Sequence, residues 1–137
     1  MYASNEELLG LACEAAEKAY SKYSGFSVGA ALLTEDGKVF TGCNIENGSY
    51  SLTICAERTA IFKAVSDGYR KFRAIAIVGG AEGDLTQPCF PCGACLQVMS
   101  EFCGGDLRIV LTDKEYTLDD LMPSRFALDK KICHSIP

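Results

Sequence analysis

A chain of 137 residues, 48% apolar and 23% charged, is long enough to bury one core and too apolar for disorder. Its net charge of -5 argues against a partner bound through its phosphates, and leaves a small molecule or another protein. No run nears the roughly 18–20 apolar residues of a membrane helix. The first twenty residues carry Glu6, Glu7, Glu14 and Glu17 and lack the cationic start of a signal peptide. We therefore expect a single cytoplasmic domain over residues 1–137. Its eight cysteines are then expected to be ligands and buried apolar side chains rather than disulfides.

Ser4-Asn-Glu-Glu7 reads as a capping box, and Leu8, Ala12, Ala15 and Ala19 behind it predict a helix over 4–21 with a small-residue face. Residues 28–34 and 38–43 predict a hairpin across Asp36-Gly37, a two-residue turn pattern. Residues 44–51 are polar and turn-like. Thr53 is the expected cap of a helix over 54–67, ended by Gly68. "RAIAIVG" at 73–79 predicts a buried strand. Residues 83–91 read as loop, 92–103 as a helix with an apolar stripe, and 107–111 as a strand. Thr117-Leu-Asp-Asp120 starts a short last helix, stopped by Pro123. Helices alternate with strands, which predicts a layered α/β class.

The stretch 87–97, "QPCFPCGACLQ", holds three cysteines in two overlapping Cys-x-x-Cys pairs. Pro91 suits the first turn of a helix and forces Phe90 out of one. Cys92 and Cys95 then lie on the inward stripe of one helix, with Cys89 in extended chain before it. Two thiolates are too few for a zinc site. Of the remaining cysteines, Cys55 alone falls in the first turn of a predicted helix, where the positive end of the helix dipole favours a thiolate. The only histidine, His134, cannot make a two-histidine site. Three protein ligands leave one tetrahedral position open, the mark of a catalytic zinc. Cys13, Cys43, Cys103 and Cys133 read as buried apolar side chains, Cys89 as a loop thiol and His134 as a mobile tail residue.

Thr53-Ile-Cys-Ala-Glu-Arg-Thr-Ala-Ile61 and Pro91-Cys-Gly-Ala-Cys-Leu-Gln-Val98 together resemble the zinc-dependent cytidine deaminases of the small three-cysteine type. Tyr23 to Ala31, Asn44 to Tyr50 and Pro123-Ser-Arg-Phe126 extend the resemblance over residues 4–128. Leu96 departs from it, standing where the family usually has arginine, and Arg125 stands where a small residue is common. The resemblance implies a three-layer α/β/α fold around a five-stranded mixed sheet, one zinc ion per chain, and a homotetramer with active sites shared between subunits. It implies Glu57 as the proton carrier and Arg58 as support for the thiolates. It implies substrate contacts from Phe26, Asn44, Glu46 and Ala56, with Tyr50 and Phe126 reaching a neighbouring subunit's site. Asn44 and Glu46, with Ile45 between them in extended chain, share a face suited to a sugar's vicinal hydroxyls. The implied reaction is hydrolysis of cytidine and 2′-deoxycytidine to uridine and 2′-deoxyuridine with release of ammonia, a pyrimidine salvage step.

Three other readings compete. A structural zinc module would need a fourth ligand, Cys89 or His134, and would have no use for Glu57. A polynucleotide deaminase is disfavoured by the acidic charge. A deaminase of a free base or an antibiotic would leave Asn44 and Glu46 without a sugar to hold.

Overall fold

The computed structural model describes residues 2–128. Helix α1 (Asn5–Ala16) begins at the expected capping box: the Ser4 hydroxyl accepts from the Glu7 amide, and the Glu7 carboxylate accepts from the Ser4 amide. It ends earlier than its Ala periodicity predicts. The backbone of Tyr20 is drawn into extended pairing, donating to the Asn44 carbonyl and accepting from the Glu46 amide. Tertiary hydrogen bonding there overrides local helix propensity.

Strands β1 (Phe26–Thr34) and β2 (Val39–Cys43) form the hairpin. Its loop has three residues rather than two, closed by the Thr34 amide on the Lys38 carbonyl at 2.8 Å. Gly37 sits at φ 98°, the left-handed position that such a loop reserves for glycine. A 3-10 turn over Tyr50–Leu52 leads into α2 (Ala56–Ser66), capped by Cys55 and not by Thr53. Thr53 instead closes the 3-10 turn through its amide. Strand β3 (Phe72–Ala81) follows, then α3 (Gly93–Phe102), β4 (Arg108–Val110), β5 (Glu115–Thr117) and α4 (Leu118–Leu121). The short β5 escapes sequence patterning: three residues, Glu-Tyr-Thr, are too few to show a period.

The sheet is five-stranded and mixed, in the order β2-β1-β3-β4-β5. Only β3 and β4 run parallel, joined by α3 as a crossover. Strand alternation sorts side chains to the two faces. Ala31, Leu33, Ala74, Ala76 and Val78 meet Leu8, Ala12 and Ala16 of α1. Ala30, Leu32, Ile75, Ile77 and Ile109 meet α2 and α3 through Ala60, Ile61, Cys95 and Met99. Helices thus cover both faces, in the three layers expected. Of the cysteines read as buried, Cys13 is exposed on α1, and Cys43 and Cys103 are half-buried. Cys13 falls outside the Leu8–Ala12–Ala16 stripe that packs on the sheet. Cys133 and His134 lie outside the described residues.

Two glycines set how close the helices come. A Cβ at Gly29 would overlap the Ala12 carbonyl of α1. One at Gly42 would stand 2.5 Å from the Ala60 nitrogen and 2.6 Å from the Ala56 oxygen of α2. Helix backbone therefore rests directly on strand backbone on both faces of the hairpin. Gly29→Ala should lower stability by about 1–3 kcal/mol, the usual range for overpacking. Gly10→Ala, at an open position of α1 with nothing within 4 Å, should raise it by about 0.5–1 kcal/mol. Urea midpoints of the two variants check this pair of opposite signs.

Candidate active site

The C-terminal ends of β2 and β3 and the start of β1 converge on the N-termini of α2 and α3. Cys55 caps α2 and Cys92 caps α3, each with extended ψ (153° and 167°) and neither thiol making a capping hydrogen bond. Both sulfurs are therefore available to face outward from a helix start. Pro91 lies one residue before the cap rather than in the first turn, because Cys92 itself is extended. Cys95 is the third residue of α3 and fully buried.

The three sulfurs meet. Cys55 and Cys92 Sγ are 3.8 Å apart, Cys92 and Cys95 Sγ 3.5 Å, and all three lie within 4.8 Å of one another. Two thiolates on a tetrahedral zinc, each at about 2.3 Å, would be about 3.8 Å apart. The donor set and its spacing fit that ion. The hydrogen bond from Cys95, backed by the Arg58 guanidinium, holds the Cys55 thiol down at about 5 against the opposing effect of burial. Cys95 is pushed up by the same hydrogen bond and by burial. Arg58 Nη2 donates to Cys55 Sγ at 3.2 Å, and its Nε is buried without a partner among the described residues.

Glu57 stands two residues beyond Cys55, 4% exposed, and shares a cavity of about 230 Å³ with Cys55 and Cys92. Burial is the first cause that raises its carboxyl to about 7, with the nearby Cys55 charge adding to it and Arg58 opposing. Phe26, Asn44 and Ala56 line the same cavity. Asn44 is buried and its amide clips the start of β1: Oδ1 accepts from the Val28 amide and Nδ2 donates to the Phe26 carbonyl, each at 2.8 Å. Glu46 lines a neighbouring hollow with Tyr23, Tyr50 and Thr53. Its carboxylate accepts from the amides of Tyr23 and Ser24 and from the Ser24 hydroxyl. These hydrogen bonds, led by that of the Ser24 hydroxyl, keep it below its ordinary range.

Tyr50 and Phe126 stand apart from the cavity, 73% and 66% exposed. Tyr50 meets the Tyr23 ring edge-on at 6.0 Å, and the Phe126 carbonyl accepts from Gln97 Nε2 at 3.2 Å. Leu96 packs against the core, and Arg125 pairs with Asp119 at 3.3 Å. Sequence reasoning left Cys89 in the loop, pointing away. The structure keeps it out of the sulfur cluster yet seats it in the cavity wall, where burial raises its thiol to about 11. Its spacing of three from Cys92 was visible, but the contact that turns it inward, with β3, was not.

Residues 3–111 match the family described as the cytidine and deoxycytidylate deaminase zinc-binding region. The cytidine deaminase of Sporosarcina psychrophila is 52% identical over 127 residues, covering 89% of this chain and 90% of the relative. The chain belongs to this deaminase family. The cytidine deaminase of Halalkalibacterium halodurans is 49% identical over 127 residues, covering 89% of this chain and 93% of its own. A crystal structure of cytidine deaminase from Burkholderia pseudomallei superposes with a TM-score of 0.82 at 49% identity, covering 90% of this chain and all of that one. The family is defined by its zinc-binding region, and in this member Cys55, Cys92 and Cys95 form a cluster positioned to hold the ion.

Metal analysis should find one zinc per chain. Cys55→Ala, Cys92→Ala and Cys95→Ala should lose it or bind it far more weakly, and Cys89→Ala should retain it. Zinc loss in Cys89→Ala would point to a closed, four-thiol site.

Proposed function

We propose that the chain hydrolyses cytidine and 2′-deoxycytidine to their uridine forms with release of ammonia, and that it serves pyrimidine salvage in the cytoplasm. One observation carries this reading: the Glu57 carboxyl is buried in the cavity that Cys55 and Cys92 also line. A structural zinc site has no use for a buried acid beside it. A hydrolytic deaminase does, because protons must move between water, the ring and the departing amine.

Cys55, Cys92 and Cys95 would hold the ion. Zinc supplies Lewis acidity, which makes water acidic enough to act as a nucleophile near neutral pH. Three thiolates would leave the metal and its ligands with a net negative charge and weaken that acidity. The two helix N-termini and Arg58 offset the charge, through the helix dipoles and the 3.2 Å contact to Cys55. Glu57 takes one proton from the attacking water and delivers it to N3 of the pyrimidine, then takes the second from the new C4 hydroxyl and gives it to the amine as it leaves. The Phe26 ring and the Ala56 wall flank the base. Asn44 and Glu46 address the sugar, from positions fixed by their bonds to β1 and to the 23–24 turn.

The exposure of Tyr50 and Phe126 supports the homotetramer. Both are aromatic and lie outside the cavity of their own chain, so a neighbour would supply them. Activity would then require the assembly.

The decisive assay is the loss of cytidine absorbance, with and without a strong zinc chelator. Cytidine should be consumed in the zinc-loaded protein and spared after chelation. Glu57→Gln should keep fold and zinc and lose at least roughly 10²–10⁴ in turnover; near-normal turnover would end this mechanism.

Assembly has its own check. Light scattering should show a tetramer. Mixing inactive Glu57→Gln chains with weakened Phe126→Ala chains should restore activity once subunits exchange. An active monomer would refute the shared site.

A further inference from the structure

Gly79, near the end of β3, lies where three cavity-lining side chains converge. A Cβ there would stand 2.7 Å from Cys89 Sγ, 3.0 Å from Val28 Cγ2 and 3.2 Å from Phe26 Cε1. The glycine thus makes room for three neighbours at once, and all three of them line the cavity with Glu57 and Cys55. Its φ is not among the positive values, so an alanine there would be opposed by volume alone.

Cys89 is the adjustable member of this group. It lies in the loop before α3, outside the sulfur cluster, so nothing in the metal chemistry requires its sulfur. As a neutral thiol it presents a small, apolar surface. It shares the cavity lining with Cys55, Glu57 and Cys92, the residues of its metal end. In a deaminase that end receives C4 and its amino group. The substituents flanking C4 are those on the amino nitrogen and on C5.

We propose that Cys89, resting on Gly79, is a specificity-determining wall of the base cavity and limits the size of the group accepted beside C4. This rests on the cytidine deaminase reading given above. The pair works as one volume: the glycine lets the thiol sit back against β3, and the thiol closes the space that the glycine leaves.

The test uses the full-length, zinc-loaded enzyme, with Cys89→Ala, Gly79→Ala and the double variant beside the wild type. Each is assayed on cytidine, 5-methylcytidine and N4-methylcytidine. The quantity read is the ratio of kcat/KM for a methylated nucleoside to that for cytidine. This ratio does not depend on the folded or zinc-loaded fraction, so a merely structural defect does not move it. Cys89→Ala should raise the ratio about ten-fold or more for at least one methylated nucleoside, as one methyl in an apolar pocket is worth about 10–200-fold. Gly79→Ala should lower kcat/KM for cytidine about ten-fold by pushing the thiol inward. The double variant, which exchanges one volume for the other, should recover most of that loss. Unchanged ratios in Cys89→Ala would overturn the proposal, and so would a double variant whose losses simply multiply. A wild type inert toward cytidine would instead overturn the deaminase reading itself.

Discussion

Three sulfurs within 4.8 Å of one another cannot all be thiolates unless positive charge surrounds them. That requirement organises the rest of the molecule. Two helix starts must point at one spot, and the cysteines must cap them without spending their sulfurs on the caps. A guanidinium must approach from the side, as Arg58 does. Its partly unpartnered burial is tolerable only because it faces a concentrated negative charge. The sheet supplies the geometry. Helix α2 leaves from the end of β2 and α3 from the end of β3, with β1 between those strands. Both helices lie on one face, and their N-termini meet above the start of β1.

The same end of the sheet is tied together by short-range pairing outside the five strands. The segment 44–46 is held on one side by Tyr20 and on the other by Ile54, through isolated bridges. Ile54 immediately precedes Cys55. The position of the first metal-side sulfur is thus coupled to the segment carrying Asn44 and Glu46, and through Asn44 to Phe26 and Val28. Two polar side chains that read as free recognition groups in the sequence are also fasteners. In the proposed substrate role their orientation would be set before any ligand arrives, which lowers the entropy lost on binding.

Legibility in the sequence followed the length scale of the cause. The capping box at Ser4 and the unbroken apolar run of β3 are local and readable, and so was the helical pairing of Cys92 with Cys95. Cys55 joined them by its place at a helix start, though the cap fell on Cys55 itself and not on Thr53. That displacement was not readable, because the pairing of Ile45 with Ile54 keeps the chain extended as far as Cys55. The helix that should have run to residue 21 stopped at Ala16 for a similar long-range reason. Strand β5 has no local pattern and forms only because β4 offers it an edge. The inward turn of Cys89 depended on the missing side chain of Gly79, thirty-odd ångströms of chain contour away at roughly 3.5 Å per residue. A paired Gly79-Gly80 at the end of a buried strand was the one visible hint of a close approach.

The backbone contact of α2 on β2 at Gly42 bears on how such a site can diverge. With Ala56 and Ala60 seated directly on the strand, the first two turns of α2 have no slack in which to shift. The wall of the cavity that carries Cys55 and Glu57 is therefore effectively fixed, and change there meets the resistance of the whole hairpin. Another part of the lining is built from side chains meeting over a glycine, where one thiol more or less alters shape without moving backbone. The cavity thus has a conservative wall, carried by α2, and a tunable one. New substrate ranges can arise at the second while the first stays as it is.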